Sequence, residues 1–352
     1  MKSFVLGQNL LEDGEQPLFL PEIGTFFNKD ISLAKEMITQ LAEAGIHVIK
    51  GEVLHDADIA LNDDLEEIYY AKDGCKRTER YRELIERKVV PLSEYEKVFE
   101  LCKNVGLEFV LSVYDAKGAE FAKAIGACAL KIASSNIVHQ PLIEHVSNLS
   151  IPLIIDTGKS TLEEIARAMQ WAEDAGATDI MIQHSPEAYP APIENHNMEM
   201  IRTFRKIFDR PVGLSDHYNG EEMLYVAIAL GAHSVEKGVY PDTLKSEQDI
   251  NHAMPISKMA DVLDKCNQIY RALGQSMRYL KRDREKYISR MGICASKDIS
   301  EGDLVSINNT QFSFPATGIP VEHWEIVNGW QIRVDIAAGN PISWCDIEPP
   351  TP

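Results

Sequence analysis

Apolar runs of a few residues recur along the first two-thirds of the chain. Each is followed by a longer stretch in which apolar side chains return every three or four positions. The runs are Leu18 to Ile23, His47 to Lys50, Glu108 to Ser112, Ala129 to Ala133, Leu153 to Asp156, Ile180 to His184, Val212 to Asp216 and Ser234 to Lys237. A short, near-continuous apolar run reads as a strand buried on both faces, the mark of a parallel sheet. The stretches between keep helical spacing, as in Leu33, Met37 and Leu41, or Leu162, Ile165 and Met169. Several end at a glycine just before the next run, at Gly45, Gly106, Gly126, Gly176 and Gly231, where a left-handed residue stops a helix. No glycine-rich dinucleotide turn follows the first run. The pattern therefore predicts an α/β chain closed into a (β/α)8 TIM barrel, not an open doubly wound sheet.

Two segments break the alternation. Gly51 to Pro91 is longer than an ordinary connection and rich in charge, which predicts an insertion over the barrel mouth, in the place of a lid. From Met291 the chain changes to short apolar segments separated by turn residues such as Glu301-Gly302-Asp303 and Asn328-Gly329, the pattern of a small β-rich domain. The expected division is a barrel over 1–278, a linker over 279–290 and the small domain over 291–352. A domain of about 60 residues is near the lower limit for independent stability, so it is expected to lean on the barrel or on another subunit. Trp324, Trp330 and Trp344 supply bulk for its core.

Composition narrows the function classes. With 45% hydrophobic and 25% charged residues, the chain of 352 can bury a full core. Its formal charge of -19 repels phosphate backbones and anionic lipid, which excludes nucleic acid and membrane as expected partners. The one basic cluster, Arg278, Lys281, Arg282, Arg284 and Lys286, is interleaved with Asp283 and Glu285 and reads as a solvated helix face. The six cysteines have no metal-ligand spacing and read as thiols of a reducing compartment. The first residues carry no sustained apolar stretch, and no segment approaches the roughly 18 apolar residues of a membrane span. The expected location is cytoplasmic.

In a barrel of this kind the active site is built at the C-terminal ends of the strands. The polar residues there are Glu22, Lys50 with Glu52, Ser112 with Asp115, Lys131 with Ser134 and Ser135, Asp156 with Thr157, His184 with Tyr189, Ser215 with Asp216 and His217, and Glu236 with Lys237. Any one of these is as easily a solvated rim residue. Three lysines, Lys50, Lys131 and Lys237, gathered beside Ser134 and Ser215 are harder to explain so, because ammoniums among hydroxyls make a site for phosphate and carboxylate. Phosphoenolpyruvate (PEP) carries both.

The order of Pro21-Glu22-Ile23-Gly24, Lys131-Ile132-Ala133-Ser134, Thr157-Gly158, His184 with Tyr189-Pro190, Gly213-Leu214-Ser215-Asp216-His217 and Val235-Glu236-Lys237 resembles the sialic acid synthase family. Lys297-Asp298-Ile299, Glu301-Gly302 and Gly318-Ile319-Pro320 in the tail resemble that family's antifreeze-like (SAF, β-clip) domain. The resemblance implies a transferase that joins PEP to a sugar aldehyde and releases phosphate, in a homodimer whose C-terminal domains are swapped. It implies PEP contacts at Lys50, Lys131, Ser134 and Ser215, and an acidic residue, Glu22, near the reacting carbons. It also implies a divalent cation, manganese or magnesium. The family holds that cation with two histidines; this chain has His217 but Gly238 in the second place, which leaves Asp249, Glu52 or His252 as substitute donors. Three departures fall on the sugar side: Thr25-Phe26-Phe27-Asn28-Lys29, Gly51-Glu52-Val53, and Phe314-Pro315 where the family has Arg-Pro. They imply an acceptor other than N-acetylmannosamine.

Candidate catalytic residues are thus Glu22, His184 and Asp216. Candidate substrate contacts are Lys50, Glu52, Lys131, Ser134, Thr157, Tyr189, Ser215, Lys237 and Phe314, and candidate metal ligands are His217 and Asp249. Two other readings stay open: a Schiff-base aldolase using Lys131 or Lys237, and a non-catalytic descendant that binds a sugar.

Overall fold

The computed structural model describes residues 2–350 apart from 25, 28, 71–74, 245–247, 276 and 278–282. Thr25, Asn28, Arg278, Lys281 and Arg282, all singled out above, lie outside the described residues. The chain divides into two compact units, Met1–Gly274 and Gln275–Pro352.

The first unit opens with an antiparallel hairpin, β1 (Phe4–Leu6) and β2 (Asn9–Leu11), and proceeds through β3 (Leu18–Glu22), α1 (Ile31–Glu43) and β4 (Val48–Val53). The insertion follows as a hairpin of β5 (Glu66–Tyr70) and β6 (Lys76–Arg80) with α2 (Tyr81–Lys88). Then come α3 (Leu92–Asn104), β7 (Glu108–Val113), α4 (Ala116–Ala124), β8 (Ala129–Ile132), α5 (Gln140–Asn148), β9 (Leu153–Asp156), α6 (Leu162–Asp174), β10 (Ile180–His184), α7 (Met200–Phe208), β11 (Val212–Asp216), α8 (Glu222–Ala229), β12 (Ser234–Tyr240), β13 (Met254–Pro255) and α9 (Met259–Leu273). Strands β3, β4 and β7 to β12 are parallel neighbours, and β12 pairs with both β11 and β3, which closes the barrel.

Local chemistry explains the element boundaries. Thr161 and Glu164 form a reciprocal cap at the start of α6, whose buried face is Ile165, Ala168, Met169 and Ala172. Gly176 and Gly231, with φ of 96° and 89°, take the left-handed turns that return the chain to β10 and β12. Strands β4 and β12 run past the expected ends at Lys50 and Lys237, so Glu52 and Gly238 lie inside strands.

Alternation along the strands decides what the barrel encloses. Leu20, Val48, Val110, Ala129, Ile154 and Met181 point inward and pack with Phe4, Leu6 and Leu11, so the N-terminal hairpin plugs that end of the barrel. Two residues further along the same faces stand Glu22, Lys50, Ser112, Lys131, Asp156 and Gln183. Ser215 and Glu236 join them through hydrogen bonds to Lys131. An apolar floor thus supports a polar layer to which every barrel strand contributes one side chain.

The second unit contains α10 (Asp283–Ile288), where a linker was expected, then β14 (Gly292–Ala295), β15 (Thr310–Ser313), α11 (Trp324–Val327), β16 (Gln331–Ile332) and β17 (Ile347–Glu348). Strands β14 and β15 pair antiparallel, as do β16 and β17. Its own core is aliphatic, built on Ile293, Ile299, Val305, Ile319, Ile332 and Ile342, with Trp324 and Trp330 packed against it and Trp344 about half exposed. Lys286, of the basic cluster, pairs with Glu322 at 3.2 Å. Among the described residues no helix is long and apolar enough to cross a membrane.

Candidate active site

A cavity of about 420 Å³ opens above the polar layer, at the C-terminal ends of the strands. The insertion forms part of its wall through Glu67, Ile68 and Tyr69 of β5 and Tyr81, Leu84, Ile85 and Lys88 of α2. Its floor is a ladder of alternating charges. Lys50 Nζ lies 3.1 Å from Glu22 Oε1 and 3.8 Å from Glu236 Oε1. Lys131 Nζ lies 2.8 Å from both Glu236 Oε1 and Asp156 Oδ2, and donates to Ser215 Oγ at 3.4 Å. Gln183 donates to the other Glu236 oxygen at 3.0 Å. Lys131 and Ser215, on which the phosphate-site reading depends, therefore sit side by side.

Burial governs the electrostatics of the ladder. It is the main cause that lifts the Glu22 carboxyl to about 7; Lys50 opposes it, while Glu52 and Glu236 add to it. Burial pulls the Lys50 ammonium down, but Glu22, Glu236 and Glu52 together outweigh it and hold the group above its ordinary range. Glu236 is likewise penalised by burial, and its attraction to Lys131 and Lys50 wins, leaving it below the ordinary carboxylate value. Glu52 accepts from Tyr114 at 2.8 Å. Burial raises the Tyr114 phenol well above its ordinary value, and repulsion from Glu52 adds to that.

Five expected site residues behave differently, and for the four on or just beyond barrel strands the pleat supplies the reason. Residues that follow an inward-facing position by one face outward, toward the helices. His184 follows Gln183, and its Nε2 meets the His196 carbonyl at 2.7 Å; Thr157 follows Asp156 and donates to the Gln183 carbonyl at 3.0 Å. Both line a separate hollow of about 640 Å³, away from the charge ladder. Lys237 follows Glu236. Its ammonium is consumed by Asp216 at 2.7 Å and by the carbonyls of Tyr218 and Gly220 at 2.5 and 2.8 Å. Lys237 thus departs from the expected trio of substrate-gripping lysines, and Asp216, though at the cavity edge, is committed to that internal pair. Phe314 belongs to the second unit and is 61% exposed there.

Ser134, Tyr189, Glu52, His217 and Asp249 line the cavity with the ladder. Asp156 and Glu236 were noted among the strand-end polar residues but not among the candidate site residues, and Gln183 was missed altogether. For Asp156 and Gln183 the signal was present: each stands two residues beyond an apolar floor residue of its own strand, Ile154 and Met181.

The resemblance implies a divalent cation, for which the cavity offers His217, His252 and Asp249. His217 Nδ1 lies 3.5 Å from Ser185 Oγ, and the His217 and His252 rings are 5.3 Å apart, both against Tyr189 at 4.2 and 5.5 Å. Burial is the main cause that pushes His217 well below its ordinary value and His252 down to about 4, so both rings are neutral near pH 7. His252 Nδ1 is buried without a hydrogen-bond partner. Asp249 lies 4.0 Å from His252 Nε2 and 3.2 Å from Lys88. Among the described residues no three His, Cys, Asp or Glu side chains converge as a ready-made cage. Two neutral imidazoles, one with an orphaned nitrogen, beside a carboxylate are nonetheless a donor set that suits a divalent ion.

Residues 37–278 match the NeuB family and residues 290–348 the SAF domain. The uncharacterized protein MJ1065 of Methanocaldococcus jannaschii is 27% identical over 99% of each chain. The N,N'-diacetyllegionaminic acid synthase of Legionella pneumophila is 25% identical over 97% of this chain and 100% of its own. In fold, the chain is similar to the N-acetylneuraminic acid (sialic acid) synthetase of Leptospira borgpetersenii, with a TM-score of 0.71 at 22% identity over 82% of this chain and 95% of that one. The family match covers well over half of the residues and bears out the resemblance read from the motifs: the chain belongs to the NeuB family and carries a C-terminal SAF domain.

Proposed function

We propose that this chain condenses PEP with a sugar aldehyde, giving a nonulosonic, sialic-acid-like sugar acid and phosphate. The observation that carries the reading is the set of ammoniums and hydroxyls at one barrel mouth, with Lys131 Nζ 3.4 Å from Ser215 Oγ and Lys50 on the same ladder. Lys131, Lys50, Ser134 and Ser215 grip the phosphate and carboxylate of PEP. The C3 carbon of PEP attacks the aldehyde carbon, and the aldehyde oxygen takes a proton from Glu22, whose pKa of about 7 keeps it half protonated at neutrality. Water then adds at C2 and gives a proton back to the same carboxylate. The C2–O bond to phosphate breaks, the remaining hydroxyl proton leaves with the phosphate, and the keto acid is complete. Polarisation of the aldehyde is the chemistry a divalent cation supplies when bound, with His217 as its nitrogen ligand and Asp249 beside it.

The Schiff-base alternative is disfavoured by the same geometry. To attack a carbonyl, Lys131 or Lys237 must first become a neutral amine, which would leave buried Asp156, Glu236 or Asp216 without their cation. The sugar side departs from the sialic acid synthase pattern at Glu52 and Phe314, so the acceptor is a sugar other than N-acetylmannosamine. A homodimer with swapped tails follows from the resemblance, and the exposed Phe314 is available for it. A cytoplasmic location follows from the cysteine usage, with thiols such as Cys102 and Cys266 buried and not in disulfides.

The test is phosphate release from PEP, with manganese, across a panel of neutral and N-acylated aldoses. Product is identified as a 2-keto sugar acid by mass. No release with any aldose overturns the function, and turnover with N-acetylmannosamine alone overturns the acceptor proposal.

A further inference from the structure

Strand β12 reads Glu236-Lys237-Gly238, and glycine brings no donor to the cavity. The ladder pairs Ser215 with Glu236 and Asp216 with Lys237, so its next step sets His217 against Gly238. A Cβ built on Gly238 would meet Ala253 Cβ at 3.2 Å and Phe26 Cε2 at 3.6 Å. The volume that a longer side chain at 238 would need is therefore filled by the segment that returns along β12, which pairs Met254 with Val239 and Pro255 with Tyr240.

The residue before Ala253 is His252. It is 7% exposed, its ring meets that of His217 edge to face at 5.3 Å and 84°, and its Nδ1 is buried with no partner. Such an orphaned nitrogen is costly to bury unless something binds it. Asp249 stands near the other ring nitrogen, 4.0 Å away, close to it though beyond hydrogen-bond distance. With metal–nitrogen bonds of about 2.1 Å, two imidazoles on one cation hold their ring centres about 4.5–5.3 Å apart, and the observed spacing falls at the upper end.

We propose that His252 supplies the nitrogen ligand that Gly238 lacks, so that a divalent cation is held between His217 and His252. The donor has moved from the strand to the segment packed upon it. Glycine at 238 is part of the arrangement, because it makes room for Ala253 and thereby seats His252. The inference deepens the metal-assisted condensation proposed above.

The experiment is manganese titration of the full-length protein, without PEP or sugar, followed by the electron paramagnetic resonance of the free ion. Wild type should take up one ion per chain, and His252→Ala and His217→Ala should each weaken uptake at least tenfold. His252→Gln keeps size and polarity and should weaken it likewise, which protects the test should the alanine variant fail to fold; thermal melts of the metal-free variants check folding. Unaltered affinity in both His252 variants, or no uptake by wild type, overturns the proposal and marks the two rings as an edge-to-face packing pair beside Tyr189. Phosphate release from PEP on the same samples is scored separately. Turnover without a bound cation leaves the condensing function standing and sinks this site; uptake through both histidines without turnover does the reverse.

Discussion

Glu22→Gln keeps the shape of the side chain and deletes its charge, so it isolates what ionisation at that point does. Burial, with repulsion from Glu52 and Glu236, outweighs the attraction of Lys50 and lifts the carboxyl from 4.5 to about 7. A carboxyl raised in the folded state binds its proton more tightly there than in the unfolded chain. It therefore weakens folding as the pH climbs from 4.5 toward 7, and the deficit is complete above 7. At about 1.4 kcal/mol per pH unit the deficit is about 3 kcal/mol. Glutamine mimics the protonated form and escapes it. Wild type and variant should unfold alike near pH 5, and at pH 8 the variant should be the more stable by about 3 kcal/mol, which raises its melting temperature by about 5–10 °C. The same change removes the proposed proton donor, so kcat should fall by about 10²–10⁴, and the decline in wild-type rate as the pH rises through about 7 should disappear. Thermal melts at both pH values, with phosphate release measured across the range, check each part. Equal pH-dependence of melting in the two proteins, or a less stable variant at pH 8, would refute the claim that Glu22 ionises against its surroundings.

Lys131→Met should lose PEP binding in calorimetry and destabilise the fold by about 3–5 kcal/mol at pH 7, because Asp156 and Glu236 lose the cation 2.8 Å away; unchanged PEP affinity would contradict the assigned grip. Lys237→Met should cost a similar amount by stranding Asp216, yet the folded fraction should still bind PEP, and adding Asp216→Asn should recover stability in chemical denaturation. Among the described residues the cavity is lined by seven carboxylates, of Glu22, Glu52, Glu67, Asp156, Asp216, Glu236 and Asp249, against four ammoniums, of Lys50, Lys88, Lys131 and Lys159. A neutral aldose should therefore be used at least about tenfold better in kcat/KM than its phosphate ester, a difference of about 1.4 kcal/mol in transition-state binding; the opposite preference would show that the charge balance had been misjudged.

The barrel was legible because parallel strands buried on both faces leave apolar runs that no helix of that length would give. The strand ends were less so. An apolar run stops at its first charged end, so the runs ending at Lys50 and Lys237 fall short of the strands, although those residues are 8% and 1% exposed inside the sheet. The face of each strand-end residue was legible in principle and went unused. Ser215 and His217 share a parity, Asp216 has the other, and that alone separates the cavity from the Lys237 pair. Gln183 went unnoticed because a lone amide in an apolar run carries no motif. His252 could be named as a spare donor from its residue type, but its place beside His217 depends on the pairing of Met254 with β12, a contact that no periodicity announces.

The charge ladder also bears on why a carboxyl and not a histidine is the proposed proton donor. Glu22, Lys50, Glu236, Lys131 and Asp156 form three carboxylates against two ammoniums, nearly all of them shielded from water. Buried ions are tolerated when their charges balance, and this row balances only when one carboxyl keeps its proton. Glu22 is buried at one end of the row with Glu52 and Glu236 near it, and burial and that repulsion raise its pKa. On the proposed mechanism PEP brings further negative charge against Lys50 and Lys131, which competes with the carboxylates for those ammoniums and favours the protonated form still more. The proton required at the new hydroxyl is thus held in place by the arrival of the substrate that will need it.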